Sequence, residues 1–575
     1  MQEKRVILAV VLSFLVLWGY QALFVKPAPP KGRPPATATS KAPGSSAGAP
    51  ATPVAPAPAA SAAAAPPSTP APAAARALVA ANAEREIVVE TSTVRAVFTN
   101  RGARLKSWRL KKYLDLQKRP QELVPMEMSE DSTRPFELKV DDEAVTGRLR
   151  EALFLPSVEG AVDATGQEQR LTFEFQDASG LSARKEFVFS PRSYVVTVTA
   201  RVSAGGRTLN PTIQWGPGLG DVVGNAESSS YNQKPQGMLF HGEKVQRLGP
   251  KDIASQAVYE GNFSVAGVDD LYFISVLLPS RPVRLEYRPV EVPAKTGQDP
   301  KNKREYLAYG VRQQGAAEGM KFFFGPKDFD ALASVDRRLV RAINFGMFDW
   351  LAVPLLRALK WIDGYVGNYG WSIIILTILI NVVIFPLRHK SVVSMRKMQN
   401  IQPEIKAIQE RYSKLKMGDP ARQKMNTEMM NLYREKGVNP ASGCVPMLLT
   451  FPVLFAFYAL LSQAIEIRGA AFGWWIQDLS AHDPLYVTPI LMGITMVWQQ
   501  KLTPSGADPM QQKMMMAMPL VFTFMFLWAP SGLVIYWFVS NVLAIAQQYI
   551  TNAIIGPATV ARPPAERRLK KAAGK

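Results

Sequence analysis

A long apolar run stands out in the second half of the chain, at residues 369–390, YGWSIIILTILINVVIFPLRHK. A helix needs ~17–25 such residues to cross the hydrocarbon core of a bilayer, so the pattern predicts a membrane-spanning helix. Asn381 interrupts the run near its middle, where an unpaired amide is costly unless it meets a partner or water. Thr377, Asn381 and Arg388 stand at positions i, i+4 and i+11 and therefore share one helix face. We interpret that face as the lining of a polar groove.

Further apolar runs predict a chain that crosses the membrane several times. Residues 1–26 combine a short basic start with an apolar stretch of about 20 residues, which predicts an uncleaved anchor helix. Residues 441–551 hold three more apolar blocks, and Pro530 and Gly532 divide the last of them into a helical hairpin. With residues 369–390 as the second span, the pattern predicts six spans. Both termini, including the basic tail 552–575, are then cytoplasmic.

The region between the first two spans contains three different patterns. Residues 27–83 are rich in Pro, Ala and Ser, and they predict a disordered linker because they cannot bury enough apolar surface to fold. Residues 84–327 alternate apolar and polar positions between turn residues, which predicts an all-β sandwich on the outer side of the membrane. Residues 328–368 mix aromatic and basic positions and predict an amphipathic helix in the membrane interface.

Residues 391–440 are polar and basic, and the positive-inside rule places them in the cytoplasm. Two apolar stripes, at residues 401–412 and 425–432, predict an amphipathic helical hairpin. Its charge has two interpretations: a solvated helix face, or a docking surface for anionic lipid and ribosomal RNA. The second interpretation, extended to the tail, assigns these residues to the surface: Arg396, Lys397, Lys414, Lys416, Arg567, Arg568, Lys570 and Lys571.

Composition and charge narrow the chemistry. The 575 residues carry a formal net charge of +20, which favours anionic partners. The single cysteine, Cys444, excludes an intrachain disulfide and a cysteine-based zinc site, and the histidines are far apart in the sequence. The sequence contains no nucleophile elbow, phosphate loop or metal-binding spacing. We therefore expect no enzymatic activity, no metal and no cofactor.

Polar residues also recur on single faces of the later spans. Thr495 and Gln499 share one face, and Tyr536 and Ser540 share another. These side chains either join helices by hydrogen bonds within lipid or line the same groove as Asn381. No acidic residue falls deep in a predicted span, so a proton or cation relay is not indicated.

Four motifs in the second half of the chain resemble a known family. VNPASGCVPMLL, DLSAHDPLYVTPILMGITM, DPMQQKMM and PSGLVIYWFVSN are similar to the YidC family of membrane protein insertases. The resemblance covers essentially the whole chain. It implies an α-helical polytopic membrane protein with a five-helix insertase core, an N-terminal anchor helix and an all-β sandwich periplasmic domain. It also implies a bacterial inner-membrane protein that inserts and helps fold other membrane proteins. The implied partners are nascent membrane proteins, the Sec translocon, the ribosome and anionic lipids.

The same resemblance implies a mechanism and a set of site residues. In this family a hydrophilic groove admits the polar tail of a client protein, and the client's apolar segment leaves along spans two and five. A groove threonine of the family corresponds to Thr377, and a substrate-contacting tyrosine corresponds to Trp537. A groove arginine corresponds to Asn381, whose neutral amide cannot form an ion pair with an acidic tail. Arg388 lies two turns nearer the cytoplasm on the same face and is a candidate to substitute for that arginine. Snorkelling acts against this role, because it favours drawing the charge out to water.

Two functions from other classes stay open at this point. One is a transporter of small solutes or lipid-linked sugars, which usually contains a repeated half, and the sequence contains no internal repeat. The other is a membrane scaffold whose outer domain recruits partners. Deletion of residues 86–325 separates the scaffold from the insertase, because a scaffold would lose its function whereas an insertase would keep most of it.

Overall fold

A computed structural model describes residues 77–555, apart from 116, 126–131, 217, 220–234, 293–303, 316–317, 413–420, 439–444 and 503–508. The predicted anchor at residues 1–26 lies outside the described residues, as do most of the predicted linker and most of the basic tail. Ile408–Met429, the far part of the predicted hairpin, belongs to a separate unit from Arg76–Ala407 and Met430–Lys575.

The first part of the described chain is a β-sandwich, as the period-two pattern predicts. It contains two short helices, α1 (Glu143–Glu151) and α2 (Pro250–Ser255). Its strands are β1 (Ala77–Val79), β2 (Glu86–Glu90), β3 (Val94–Thr99), β4 (Arg104–Leu114), β5 (Pro120–Glu122), β6 (Glu137–Lys139), β7 (Leu155–Pro156), β8 (Ala161–Asp163), β9 (Gln169–Asp177), β10 (Ser182–Phe189), β11 (Val195–Ala204), β12 (Arg207–Leu209), β13 (Thr212–Trp215), β14 (Gln236–His241), β15 (Lys244–Leu248), β16 (Val258–Gly261), β17 (Val265–Asp269), β18 (Phe273–Leu278), β19 (Val283–Val292), β20 (Arg304–Gln313) and β21 (Met320–Pro326).

The strands form one large sheet and two smaller ones. The eleven-stranded sheet has the order β1-β9-β10-β11-β21-β18-β17-β14-β15, with β7 beside β9 and β12 beside β11. The five-stranded sheets have the orders β16-β19-β20-β13-β6 and β5-β4-β3-β2-β8. Burial alternates along β10 and β11, so one face of the large sheet covers the core while the other meets solvent.

Strand β1 shortens the predicted linker, which extends to residue 83 in the sequence analysis. Ala77 pairs with Asp177 and Val79 pairs with Gln176, so these residues add an edge strand to β9. An uncovered sheet edge offers unpaired N–H and C=O groups, and a short apolar Ala-Leu-Val segment is sufficient to pair with them. The composition of the linker hides this segment, because Pro and Ala dominate the residues before it.

A buried lysine holds the centre of the sandwich together. Lys185 is fully buried, and its Nζ donates to the main-chain carbonyls of Gly102 (2.6 Å), Ala103 (3.1 Å) and Phe136 (2.7 Å). All three acceptor residues have positive φ angles, 65°, 46° and 68°, which cost a side-chain-bearing residue about 1–2 kcal/mol. The amino group therefore stabilises this strained backbone through its hydrogen bonds to the three carbonyls.

The rest of the described chain is helical. Its helices are α3 (Phe329–Val335), α4 (Asp349–Val366), α5 (Tyr369–Asn400), α6 (Gln402–Tyr412), α7 (Ala421–Glu435), α8 (Val445–Gln463), α9 (Val487–Leu502), α10 (Pro509–Met525) and α11 (Ser531–Ile555). The two stripes of the predicted hairpin fall on α6 and α7. The segment between these two helices lies outside the described residues.

Helix α4 has the two-sided pattern of an interfacial helix. Leu356 and Leu359 are buried, whereas Trp350, Trp361 and Tyr365 are exposed. The buried side packs against α5 and α8. The exposed aromatic side suits the boundary between lipid and water.

Helix α5 is longer than its predicted span. It continues from Tyr369 to Asn400 without a break at residue 390, where the sequence analysis ends the second span. Neither Gly nor Pro occurs between Lys390 and Asn400, so nothing in this segment terminates the helix. The predicted boundary follows the change from apolar to basic residues, which predicts the end of a membrane span rather than the end of a helix.

Helix α11 is central to the packing, since it contacts α5, α8 and α9. Helix α10 packs on α9, where Gly493 lies against Thr523 so closely that a Cβ at Gly493 would fall 2.1 Å from the threonine Oγ1. Among the described residues, Tyr369–Met398 and Ser531–Ile554 have the length and composition to cross a membrane, and Phe451–Gln463 and Met515–Trp528 are shorter apolar helices. The predicted count of six spans stays a prediction.

Candidate functional site

Asn381 connects two of the predicted groove residues along α5. Its Nδ2 donates to the main-chain carbonyl of Thr377 (2.8 Å). Its Oδ1 accepts a hydrogen bond from Nη1 of Arg388 (2.8 Å). The three residues therefore form a continuous polar file on one face of the helix. Asn381 and Arg388 are both half-buried, so the file is neither sealed in the core nor fully open.

The direction of the Arg388 side chain differs from the snorkelling expectation. Arg388 follows Asn381 by seven residues, which is about 10 Å along a helix, so its guanidinium reaches back by nearly two turns. Helical side chains tilt toward the N-terminal end of their helix, and that tilt directs this one toward the β-sandwich end. The Asn381 amide supplies an acceptor at the right depth, and the charge is therefore carried into the helical region rather than out of it.

The charge of Arg388 meets no acidic side chain of the surrounding helices. The sequences of α5, α8, α9, α10 and α11 contain neither Asp nor Glu. A half-buried cation held by a neutral amide, without a carboxylate in these helices, leaves an attractive position for an incoming anion.

Tyr536, Trp537 and Ser540 extend the candidate site along α11. The ring of Tyr536 is buried and stacks on Phe457 of α8, with 4.3 Å between the ring centroids. Trp537 is half-buried, and its ring contacts Phe526 at 4.9 Å and Phe522 of α10 at 5.7 Å. Ser540 is half-buried one turn after Tyr536. The aromatic pair therefore joins α8, α10 and α11.

The predicted threonines lie in packed surroundings. The hydroxyl of Thr377 is fully buried and donates to the carbonyl of Ile373 (2.6 Å) in its own helix. Thr495 is also buried, and its hydroxyl donates to the carbonyl of Met492 (2.8 Å). Both hydroxyls are thus satisfied within their own helices. Gln499, one turn after Thr495, is half-exposed.

Asn541 was not identified as a site residue from the sequence. It is buried on α11, and its Nδ2 donates across to Thr495 Oγ1 (3.3 Å) and to the Met492 carbonyl (3.4 Å) of α9. The available signal was an amide in the middle of an apolar run, the same signal that singled out Asn381. For Thr495 and Asn541 the geometry matches helices that are joined by hydrogen bonds.

A set of polar contacts joins the C-terminal halves of α5 and α11. Gln547 donates to the main-chain carbonyl of Phe385 (3.3 Å), and the His389 ring is 3.2 Å from the Thr551 hydroxyl. Arg396 is hydrogen-bonded to Asn552, and the basic residue is almost fully buried. The guanidinium of Arg396 therefore packs α5 on α11. Its predicted contact with lipid or the ribosome stays a prediction.

The other predicted basic contacts divide into two groups. Lys397 is exposed on α5. The remaining ones lie outside the described residues: Lys414, Lys416, Arg567, Arg568, Lys570 and Lys571. Within the described part of the chain, no cluster of His, Cys, Asp and Glu could hold a metal ion.

Comparison with family models matches both halves of the chain. Residues 361–557 match the family described as 60Kd inner membrane protein. Residues 86–358 match the family described as YidC periplasmic domain. Together the two matches cover the β-sandwich and the helical region.

Named relatives are similar to this chain over nearly its whole length. The membrane protein insertase YidC of Geobacter sulfurreducens is 37% identical over 97% of this chain and 99% of its own length. Those of Geobacter metallireducens and Citrifermentans bemidjiense are 38% and 39% identical, with 97% and 96% of this chain and 99% of each relative covered. A solved crystal structure of an active YidC insertase with its first transmembrane domain resolved aligns with 83% of this chain and 95% of its own, at 19% identity and a TM-score of 0.33.

Proposed function

This chain belongs to the YidC family of membrane protein insertases, and from that premise we propose that its helices enclose a hydrophilic groove whose cation is Arg388. The family is one of insertases rather than a class of enzymes, and its substrates are nascent membrane proteins. The observation that carries the proposal is the 2.8 Å hydrogen bond from Arg388 to Asn381, among helices that contain no Asp or Glu. Asn381 therefore positions the charged guanidinium and carries no charge itself.

The groove lowers the cost of moving a polar segment through hydrocarbon. A client's polar tail enters from the cytoplasmic side, and water beside Asn381 and the charge of Arg388 replace part of its hydration. An acidic tail gains the most, because its carboxylates meet an arginine with no resident carboxylate partner in these helices. Burial of the client's apolar segment in lipid then drives its exit along α5 and α10. Tyr536, Trp537, Ser540, Thr377, Thr495 and Gln499 shape the walls of this groove.

The proposed topology places the β-sandwich in the periplasm of a bacterial inner membrane. The anchor at residues 1–26 and five further spans cross the membrane, and both termini are cytoplasmic. The interfacial helix α4 lies at the periplasmic surface, and α6 and α7 lie in the cytoplasm. Support comes from the periplasmic-domain match and from the basic residues of the 391–440 segment and the tail.

Further partners follow from charge and from family membership. We propose that basic residues of the hairpin and the tail contact ribosomal RNA and anionic lipid, and that the chain works alone or beside the Sec translocon. Ribosome binding of this kind weakens as salt concentration rises. Cosedimentation with ribosomes that stays unchanged after the lysines of the hairpin and tail are neutralised would remove this part of the proposal.

Site-specific crosslinking tests the groove directly. A photoreactive residue at position 381 should crosslink to the polar tail of a stalled nascent client. The same probe at Val383, two residues further and with a side chain that is 74% exposed, should not capture the tail. Equal capture of the tail from both positions would show that it travels along the lipid-facing surface, and the groove would have no role.

A further inference from the structure

The loop between α8 and α9, residues 465–486, holds the first turns of three helices and is called the α8–α9 loop here. At α11, the main-chain N–H groups of Ser531 and Gly532 donate to the loop carbonyls of Ala481 (2.7 Å) and Leu479 (2.9 Å). These are N–H groups that a helix start cannot satisfy within the helix itself, so the loop caps α11.

The loop also caps α9 through a buried carboxylate. Asp483 is fully buried and accepts hydrogen bonds from the N–H and the hydroxyl of Thr488, both at 2.8 Å. It accepts a further bond from Nε1 of Trp475 (2.9 Å), which fixes the tip of the loop. Hydrogen bonds from Thr488, Leu485 and Trp475 outweigh the effect of burial and lower the pKa of Asp483, so it is a stable anion at neutral pH.

The third helix start held by the loop is that of α5. Nδ2 of Asn368 donates to the loop carbonyls of Ala471 (3.2 Å) and Phe472 (3.1 Å). The Phe472 ring fills the space over Gly370, where a Cβ would fall 2.1 Å from the ring. Loop residues Ile467, Ile476 and Leu479 are buried as well. The loop is therefore packed with apolar side chains across the ends of α5, α9 and α11.

Arg468 connects this loop to the β-sandwich. Its Nη2 donates to Oε1 of Gln121 in β5 (2.9 Å). Its guanidinium lies over the rings of Tyr272 (5.4 Å) and Phe273 (5.0 Å), at the start of β18. A planar guanidinium can stack and donate at once, and a lysine at this position could do only part of this.

A second connection reaches the loop from the chain that links the sandwich to α4. Lys360 of α4 is 3.5 Å from Glu466 at the start of the loop, 3.7 Å from Asp328 and 2.5 Å from Asp330. Burial alone would lower the pKa of Lys360, but the three carboxylates raise it, so the lysine stays charged. The sandwich and α4 therefore both contact the first residues of the α8–α9 loop.

We propose that the β-sandwich, through Arg468, keeps the α8–α9 loop seated as the seal at the periplasmic end of the groove. The inference rests on the proposed groove, because a seal has meaning only where water enters from the other end. This inference gives the β-sandwich a function in the insertase: the sandwich keeps the groove closed to the periplasm while the helices stay open to the cytoplasm. Insertion itself would survive loss of the Arg468 contact, whereas closure toward the periplasm would not.

Thiol labelling from each side of the membrane tests the seal. The probe is Asn381→Cys in a full-length chain whose own cysteine is replaced, Cys444→Ser. A membrane-impermeant maleimide is added to inverted vesicles, which expose the cytoplasmic side, or to spheroplasts, which expose the periplasmic side. The unmodified seal should give labelling only from the cytoplasmic side.

Two variants act on opposite sides of the same contact. Arg468→Ala removes the loop's guanidinium, and Gln121→Leu removes its acceptor without altering the loop. Each should raise periplasmic labelling of position 381 roughly tenfold, the factor that a shift of about 1.4 kcal/mol produces in an opening equilibrium. Arg281→Ala is the matched control, since it removes an exposed arginine of the same sandwich that pairs with Glu318. It should leave labelling unchanged.

The outcomes separate this inference from the proposed function. If position 381 is not labelled even from the cytoplasmic side, the groove is absent and both proposals fail. If cytoplasmic labelling occurs and periplasmic labelling stays at the starting level in Arg468→Ala and Gln121→Leu, only the seal is overturned. Should Arg468→Ala fail to accumulate in the membrane, Gln121→Leu and Arg468→Lys decide by the same labelling.

Discussion

Replacing Arg388 by glutamine removes the cation that the polar file of α5 carries into the helical region. Glutamine keeps an amide donor and much of the side-chain length, so Asn381 can still find a partner or water. Charge is the main property that changes. Insertion of a client with an acidic tail should therefore slow, while insertion of a client with a neutral tail of the same length should not.

The size of the effect follows from the charge pair that is lost. A carboxylate at about 4 Å from a guanidinium gains about 1 kcal/mol in bulk water and about 4 kcal/mol at the effective dielectric near a protein surface. A hydrated groove with one half-buried arginine lies between these limits. The lower limit corresponds to about fivefold in rate, so the ratio of acidic-tail to neutral-tail insertion should fall by about fivefold or more.

The assay is insertion into proteoliposomes with a pair of clients that differ only in tail charge, measured by protease protection. Lys390→Gln is the matched control, because it makes the same charge change two residues away at an exposed position of the same helix. Asn381→Arg should restore the ratio in the Arg388→Gln chain, since it returns a cation to the same file. Asn381→Leu alone should lower insertion of charged tails, because it removes both the acceptor and the hydration. An unchanged ratio in Arg388→Gln would refute the assignment of this arginine as the groove cation.

Three further changes test the packing. Gly493→Ala should lower the free energy of unfolding in detergent by about 1–3 kcal/mol, because the new methyl group overpacks against α10. Gly364→Ala is the control, since Gly364 has open space around it and its replacement should cause no such loss. Equal melting temperatures of the two variants would contradict the close approach of α9 and α10. Lys185→Met should destabilise the β-sandwich by about 3 kcal/mol in denaturant unfolding followed by tryptophan fluorescence, because three buried carbonyls lose their donor, and the exposed Arg184→Met is its control. Burial, and then the neighbouring Asp328, raise the pKa of Glu466 above its ordinary value of 4.5. The folded state therefore keeps this proton at pH values where the unfolded state has lost it, so the free energy of unfolding falls as the pH rises from about 4.5 through the folded-state pKa. Glu466→Gln should flatten this slope in melting temperature, and an unchanged slope would assign it to other groups.

The sequence was sufficient for the β-sandwich and for the helical second half because both depend on local periodicity. The alternation along β10 and β11 is the alternation of their burial, and the apolar runs after residue 440 became α8, α9, α10 and α11. The break between α10 and α11 at Pro530 follows from the missing N–H of proline.

What the sequence could not provide were the contacts between distant segments. The pairing of Ala77 and Val79 with β9 depends on an available sheet edge, which no local pattern records. Arginine usually lies at the surface, and only the contact with Asn552 explains why Arg396 is buried. The contact of Arg468 with Gln121 joins residues 347 positions apart, so it depends on the whole fold.

The separation of Asn381 from Arg388 has a physical rationale that concerns the chain's own insertion. An arginine at the centre of a spanning helix costs about 2.5–3.5 kcal/mol when that helix enters the membrane, and the cost falls toward the helix end. Placing the arginine seven residues nearer the cytoplasmic end, about 10 Å along the helix, lets the span insert with an amide at its centre. The length and tilt of the side chain then bring the charge back once the helices have assembled. A groove built in this way has its cation at the depth where a client needs it, while the helix that carries it never presents that charge to bare lipid at its midpoint.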